Sequence, residues 1–295
     1  MKYNSSLLAG IALFASFCVI VSFDTLIGFF GEYALWGVIL LSALAFLAPA
    51  ILLKKFAANR YPIRFRLERP MPVINFVGFT IKFSLMIAML VLLINFLLQS
   101  WFGYDRTTLY PMIFSLQPEL SLSYFLLCIV APVVFECVFL YGAVFSLYEN
   151  NAGTLVTVVA VGAAYALLHS DPISIIPMLI LGLAYAYLTY ISKSIIPTML
   201  AGILCSLVYL VVNRISEVYT AFGVWDYLPW IFLLLLFLFA YLTFRSMEAL
   251  LENHRLAIFQ KNSHNPGTTI LQIVMTPGCI AFILAYLLKM VFHII

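Results

Sequence analysis

Glu136 and His169 are the side chains whose types and spacing could do chemistry in this sequence. Glu136 lies within the apolar stretch APVVFECVFLYG (131–142), and His169 ends the next apolar run along the chain. An ionisable side chain inside a membrane-length apolar run is costly to bury and marks a functional-site hypothesis. A carboxylate can take a proton from water, while an imidazole orients that water or protonates a leaving amine. The pair therefore predicts peptide hydrolysis without a metal, with Glu136 and His169 as the catalytic residues.

Other interpretations of these two residues remain open. Glu136 could be a structural buried carboxylate paired with His169, and His169 could act as a helix-end residue. A metal site is a weaker alternative, because one Glu and one His supply two ligands whereas metal sites usually need three or four. Cys137 lies beside Glu136, but its apolar neighbours favour an inert thiol over a nucleophile. We expect no cofactor and no metal.

The composition indicates that these residues belong to a polytopic membrane protein. Of the 295 residues, 65% are hydrophobic and 9% are charged, and the mean hydropathy is +1.11. A soluble domain carries roughly a quarter charged residues. The net charge of +3 is concentrated in one loop, without the basic stripe that follows a phosphate backbone, so we expect no nucleic-acid partner. The five cysteines lie in apolar runs and lack disulfide or ligand spacing.

Apolar runs of roughly 17–25 residues can cross the hydrocarbon core of a bilayer. The sequence predicts an all-α transmembrane helical bundle with about nine such runs, the first being retained rather than removed as a signal peptide. The predicted spans are Leu7–Phe23, Tyr33–Leu53, Val73–Leu98, Ser121–Leu147, Gly153–His169, Ile173–Ile191, Ser194–Val212, Leu228–Phe244 and Ile270–His293.

The loop 54–70 predicts the orientation. It carries six lysines and arginines against one acid, Glu68, which indicates the cytoplasmic side. The N-terminus is then cytoplasmic, and the composition suits a bacterial plasma membrane. The same loop could also bind anionic lipid headgroups. Lys82 is expected to reach the nearby boundary, with pairing to Glu136 as the alternative.

The predicted spans place the two chemical residues at one depth. The spans 121–147 and 153–169 are joined by a short turn near 149–152, so they must be antiparallel neighbours. At about 1.5 Å per residue, Glu136 and His169 both lie roughly 18–22 Å from the inner boundary. Ser206 reaches a similar depth along its own span. A site shared by three helices is the expectation.

The sequence around Glu136 carries a family resemblance. The residues from Glu136 to Gly142 are Glu-Cys-Val-Phe-Leu-Tyr-Gly. This stretch resembles the Glu-Glu-x-x-x-Arg motif, followed by Gly, of the CPBP family (CAAX proteases and bacteriocin-processing enzymes, also called Abi). The first Glu and the Gly are kept, whereas Cys137 replaces the second Glu and Tyr141 replaces the Arg. The region 121–212 resembles that family as a whole.

Two further motifs extend the resemblance. The family's Phe-x-x-x-His motif is similar to Tyr165-Ala-Leu-Leu-His169, with one aromatic residue exchanged for another. Its His-x-x-x-Asn/Asp motif commonly follows a Ser-x-x-Pro turn, which is present at Ser194–Pro197. The third-motif positions then fall on Gly202 and Ser206. Both polar groups of that motif are missing.

The resemblance implies a CPBP-type helical core and a glutamic-type intramembrane endopeptidase activity. In the family the first Glu and the second-motif His carry the reaction, and the third-motif residues help to position water and the oxyanion. Here the charged pair of the first motif has become neutral at both positions, Cys137 and Tyr141. Losing one member alone would leave an unpaired charge in the membrane. Coordinated neutralisation is typical of a retired site.

These observations predict three segments: N-terminal membrane helices in 1–119, a CPBP-like core in 120–213 and C-terminal membrane helices in 214–295. The favoured function is a non-catalytic or weakly active regulator or scaffold for a membrane or envelope protein in the bilayer. The alternative is an active intramembrane endopeptidase that uses Glu136 and His169 on a peptide substrate. A transporter is disfavoured, because the spans carry almost no polar path.

Overall fold

The chain folds as an all-helical membrane protein. The computed structural model describes residues 4–57, 61–68, 73–102, 121–169, 174–221, 227–254 and 266–294. The α-helices in chain order are α1 (Asn4–Val21), α2 (Phe23–Ile27), α3 (Ala34–Ser42), α4 (Ala48–Ala57), α5 (Val73–Phe102), α6 (Leu122–Tyr124), α7 (Ala131–Glu136), α8 (Phe145–Ala152), α9 (Thr154–His169), α10 (Ile175–Ser192), α11 (Ile196–Ala221), α12 (Leu228–His254), α13 (Pro266–Val274) and α14 (Pro277–Ile294).

Several of these helices join into longer rods through wider or tighter turns. A 3₁₀ turn (Gly28–Tyr33) connects α2 to α3, and a π-helical turn (Ala43–Leu47) connects α3 to α4. The rod from α6 to α8 contains two π-helical stretches, Phe125–Val130 and Cys137–Val144. A π-helical turn inserts an extra residue, so it changes which side chains share a face of the rod.

Within the described residues, five helical rods are long and apolar enough to cross a membrane: Thr25–Ala57, Asn75–Leu98, Leu122–Glu149, Ile175–Ser192 and Leu228–Glu252. A bent pair near the C-terminus would make a sixth. Three apolar helices are shorter: Ser5–Val21, Thr154–His169 and Ile196–Val212. The chain is therefore a polytopic helical membrane protein, and each predicted apolar run is helical over most of its described part.

The last predicted span, Ile270–His293, is not a continuous helix. It is broken between α13 and α14, whose axes differ in direction by 73°. Pro277 cannot donate a backbone hydrogen bond, which favours a helix start at that residue. The hydroxyl of Thr276 instead donates to the carbonyl of Ile273 across the break, at 2.8 Å. The short α13 packs beside α8 and α9, while α14 packs along α1.

Glycines allow two pairs of helices to cross at backbone contact. A Cβ atom at Gly10 in α1 would lie 2.5 Å from the backbone nitrogen of Cys279 in α14. In the same way, a Cβ atom at Gly182 in α10 would lie 2.5 Å from the carbonyl oxygen of Gly162 in α9. Small residues permit such close packing between membrane helices, where dispersion contacts rather than water exclusion drive association. The α9–α10 crossing anchors the helix that carries His169.

The segment from Tyr61 to Glu68 is an extended strap rather than a loose loop. Its alternate residues Tyr61, Ile63 and Phe65 pack against the main hydrophobic core, whereas Pro62 and Arg64 are exposed. This alternation is the period of two that an extended backbone produces. The sequence predicted these residues as a basic loop that sets the orientation and could bind anionic lipid headgroups, without a defined conformation. The alternation of apolar and polar residues in YPIRFR was the signal that could have revealed the strap.

Backbone and charge contacts fix the strap to α8 and to the turn between α10 and α11. The hydroxyl of Ser146 donates to the carbonyl of Arg64 at 2.8 Å, and the backbone N–H of Ile195 donates to the carbonyl of Arg66 at 3.0 Å. The Arg66 guanidinium pairs with the Glu149 carboxylate. Phe65 lies against Gly142, where a Cβ atom would be 3.3 Å from its ring. We call this end of the bundle the strap end.

Candidate functional site: a buried Glu–His pair

Two antiparallel helical rods bring Glu136 and His169 together. Glu136 is the last residue of α7, and the π-helical stretch begins at the next residue. His169 is the last residue of α9. The reversal between the two rods is made at Gly153, whose φ of +58° is a conformation that glycine adopts without steric cost. The tight turn places the two side chains at the same level of the bundle.

The carboxylate and the imidazole lie within contact distance. Glu136 Oε1 is 3.4 Å from His169 Nε2. The two atoms do not form a hydrogen bond, and His169 Nε2 has no hydrogen-bond partner among the described residues. The side chains are 10% and 3% exposed respectively. The pair is therefore closely shielded, and one buried nitrogen retains unused hydrogen-bonding capacity.

The π-helical stretch determines what shares the face of Glu136. Residues five apart are hydrogen-bonded neighbours in a π-helix, so Tyr141 is brought towards the face of Glu136. Tyr141 is fully buried, and its hydroxyl has no hydrogen-bond partner among the residues described. Tyr141 occupies the position of the family's arginine. An apolar ring with a buried hydroxyl thus stands where the motif would hold a cation.

Aromatic rings surround the pair. The Tyr165 ring lies 4.5 Å from the His169 ring, and the Phe46 ring, which belongs to the rod Thr25–Ala57, lies 6.2 Å from it. Tyr141 and Tyr185 meet edge to face at 6.1 Å. Phe46 was missed by the sequence analysis, because an apolar residue in a remote apolar run carries no local indication of its contact. The first 119 residues therefore contribute to the enclosure of His169.

The third-motif position is filled by close packing. A Cβ atom at Gly202 would lie 2.7 Å from Val133 Cγ1, one turn before Glu136 on the same rod. A histidine side chain would need the space that Val133 occupies. Ser206, one turn further along α11, is partly buried. Its neighbour Cys205 is buried and donates a long hydrogen bond from Sγ to the Ser84 carbonyl at 3.4 Å.

Lys82 and Cys137 also have reactive side chains, and neither extends the Glu136–His169 pair into a larger polar group. Lys82 donates from Nζ to the Ser246 hydroxyl at 2.7 Å, which joins α5 to α12 rather than to Glu136. Cys137 is buried beside Glu136. Within the described part of the chain, no three His, Cys, Asp or Glu side chains are grouped so that they could hold a metal ion. Residues 170–173, which follow His169, lie outside the described part of the chain.

Comparison with known proteins identifies the part of the chain that carries this site. Residues 117–208 match the family model described as type II CAAX prenyl endopeptidase Rce1-like. No curated protein and no solved structure matches the chain. The matched segment contains the Glu136–His169 pair, the π-helical stretch and the Gly202–Val133 contact. Residues 117–208 are therefore an Rce1-like type II CAAX prenyl endopeptidase (CPBP) domain within a polytopic membrane protein.

Proposed function

We propose that this protein is a non-catalytic or weakly active relative of the CPBP proteases that regulates or scaffolds a membrane or envelope protein. The observation that carries the proposal is the close approach of Gly202 to Val133. A Cβ atom at Gly202 would lie 2.7 Å from Val133 Cγ1. Peptide hydrolysis requires polar groups that position water and stabilise the developing oxyanion. The family supplies them from the third motif, whereas here that position is closed by packed helices.

The Glu136–His169 pair supports a structural role in the same proposal. Burial of a lone carboxylate or imidazole costs free energy unless a partner offsets it. The 3.4 Å approach gives each group a polar neighbour, and the rings of Tyr165 and Phe46 cover the histidine. The pair then holds two helical rods of the core in register.

A membrane-protein partner would bind through a helix face in the bilayer. Helix α12 is the least buried of the five candidate spans, and its outward side chains Phe237 and Phe244 are 69% and 66% exposed. Residues of this size on one rod offer a broad apolar surface to lipid or to another helix. We propose this face as the partner surface. This face of α12 lies outside the matched segment, so the core that carries the Glu136–His169 pair would not itself bind the partner.

The alternative function is a glutamic-type intramembrane endopeptidase, favoured by one observation. The unpaired Nε2 of His169 lies 3.4 Å from Glu136 Oε1, which is within reach of a shared water. In that case Glu136 would activate the water and His169 would orient it. The family name points to prenylated CAAX peptides as substrates, and bacterial peptides are the second class.

The arrangement in the membrane completes the proposal. We propose nine spans, with the three shorter apolar helices and the bent C-terminal pair each crossing the bilayer. The core extends over 120–213, between N-terminal helices in 1–119 and C-terminal helices in 214–295. The strap end faces the cytoplasm of a bacterial cell, and the protein lies in the plasma membrane. Its arginines and lysines support this orientation through the positive-inside rule.

Copurification tests the proposal. The tagged chain is solubilised from its native membrane in a mild non-ionic detergent, beside a Glu136→Gln, His169→Ala double variant and a Phe237→Ala, Phe244→Ala double variant. We expect one stoichiometric membrane protein with the wild type and the first variant, and its loss from the second. Recovery without any stoichiometric protein contradicts the proposal.

A cleavage assay tests the alternative. The same preparations, reconstituted in liposomes, are incubated with prenylated and unprenylated CAAX peptides, and the products are identified by mass spectrometry. We expect no product that depends on Glu136. A peptide cleaved by the wild type and left intact by Glu136→Gln would establish the endopeptidase instead.

A further inference from the structure

We propose that the strap end carries a binding site for the headgroup of an anionic phospholipid, formed by Lys54, Lys55, Arg64 and Lys193. All four side chains are exposed, while the one exposed carboxylate in the strap is Glu68. The cluster lies outside the Glu136–His169 pair and does not depend on the proposed function.

A cation–π contact and a backbone hydrogen bond bring these cations together from three parts of the chain. Lys54 Nζ lies 4.6 Å from the centroid of the Phe65 ring, so the end of α4 lies against the strap. The strap residue Arg66 accepts a hydrogen bond from Ile195, two residues after Lys193. The end of α4 and the turn that carries Lys193 therefore both meet the strap within two residues of Arg64.

The alternation of the extended strap directs the Arg64 side chain away from the core. Its inward neighbours Ile63 and Phe65 pack on the core, and its own carbonyl is held by Ser146. Arg66, by contrast, is neutralised by Glu149 and covers the ring of Phe145 at 4.8 Å. One arginine thus fixes the strap, and the other remains available to a ligand.

The position of the cluster favours a lipid over a free anion. Lys54 and Lys55 lie in the last turn of the candidate span Thr25–Ala57, and Lys193 directly follows the candidate span Ile175–Ser192. The ends of membrane spans lie at the level of the headgroups. The exposed side chains Phe56 and Leu67 flank the cations, at 72% and 55% exposure, and would contact acyl chains. Basic residues interleaved with apolar ones at this depth bind anionic lipid surfaces.

The test uses the full-length chain in non-ionic detergent. Phosphatidylglycerol, phosphatidylcholine or inorganic phosphate is titrated, and retained lipid is counted by native mass spectrometry beside thermal unfolding. We expect phosphatidylglycerol to be retained and to raise the unfolding temperature, whereas phosphatidylcholine and phosphate leave it unchanged. Equal effects of the two lipids overturn the proposal, and an effect of phosphate that matches phosphatidylglycerol identifies a free-anion site instead.

Matched variants locate the site. Each cation near the surface contributes roughly fivefold to the affinity for anionic lipid, so Arg64→Gln should weaken retention by about that factor and Lys55→Gln, Arg64→Gln by more. Arg64→Gln keeps the backbone bond to Ser146, so folding is preserved. Glu68→Gln should strengthen retention. Arg245→Gln, an exposed cation on α12, is the control with no expected effect. An Arg64→Gln, Lys193→Gln variant that retains phosphatidylglycerol as the wild type does would overturn the assignment.

Discussion

Gly202 in α11 approaches Val133 in α7 so closely that a Cβ atom would lie 2.7 Å from Val133 Cγ1. Gly202 stands at the position that the family resemblance assigns to the histidine of the third motif, which helps to position water. Two helices that would otherwise enclose polar groups are packed against each other one turn from Glu136. This close packing is the observation on which the proposed non-catalytic role rests.

The first prediction tests this packing. Gly202→Ala should lower the free energy of unfolding by about 1–3 kcal/mol, because the added methyl group overpacks the contact with Val133. A second change, Val133→Ala, should restore part of the loss in the Gly202→Ala background. Thermal unfolding in detergent measures both effects.

Gly78→Ala in α5 is the matched control for that prediction. A Cβ atom there meets nothing within 4 Å, and the residue is likewise helical. The control should be neutral or slightly stabilising, since alanine is the better helix former. Equal behaviour of Gly202→Ala and Gly78→Ala would show that the contact with Val133 imposes no constraint.

The second prediction concerns the coupling between Glu136 and His169. Glu136→Ala and His169→Ala should each destabilise the protein by about 1–3 kcal/mol, because each leaves a buried polar group without its neighbour. The double variant should lose less stability than the sum of the two single losses, because the effects of substitutions at residues in contact are not additive. The unfolding temperatures of the wild type, the two single variants and the double variant measure the coupling between the two residues.

Lys82→Met provides the comparison for that cycle. Lys82 Nζ donates a hydrogen bond to the Ser246 hydroxyl at 2.7 Å. The destabilisation by Lys82→Met should therefore add to the destabilisation by Glu136→Ala without coupling. Strict additivity of the Glu136 and His169 changes would show that the pair is not coupled. Coupling of Lys82 to Glu136 would contradict the contacts of α5 described above.

The third prediction concerns the strap. Glu149→Gln removes the charged partner of Arg66, and we expect trypsin to cleave after Arg64 roughly two- to fivefold faster than in the wild type. Because the Glu149 carboxylate is partly exposed, its substitution should lower the free energy of opening the strap by only roughly 0.5–1 kcal/mol. Mass spectrometry of the fragments isolates cleavage at this bond from cleavage elsewhere in the chain.

Glu68→Gln makes the same change of charge within the strap. Because Glu68 is exposed at its end, cleavage after Arg64 should proceed at the wild-type rate. If Glu149→Gln and Glu68→Gln give the same rate, net charge rather than the Arg66–Glu149 pair governs how readily the strap opens.

The sequence alone determined the class of protein and the ingredients of the site. Apolar run lengths predicted helices that the structure contains, and the short turn near Gly153 predicted that Glu136 and His169 lie at one depth. These inferences succeed because hydropathy and connection length are local properties. A long apolar run needs its backbone hydrogen bonds satisfied within itself, and a helix satisfies them.

Only the tertiary structure decided what each of those helices touches. The 3.4 Å approach of Glu136 to His169, the closure of Gly202 by Val133 and the cover from Phe46 depend on how each rod is rotated about its axis. π-helical turns alter that rotation, and hydropathy does not reveal them because both faces of these helices are apolar. The bend before Pro277 and the strap follow the same rule. Pro277 and the alternation in YPIRFR indicate their local conformation, but the helices that they contact are set by residues far apart in the chain.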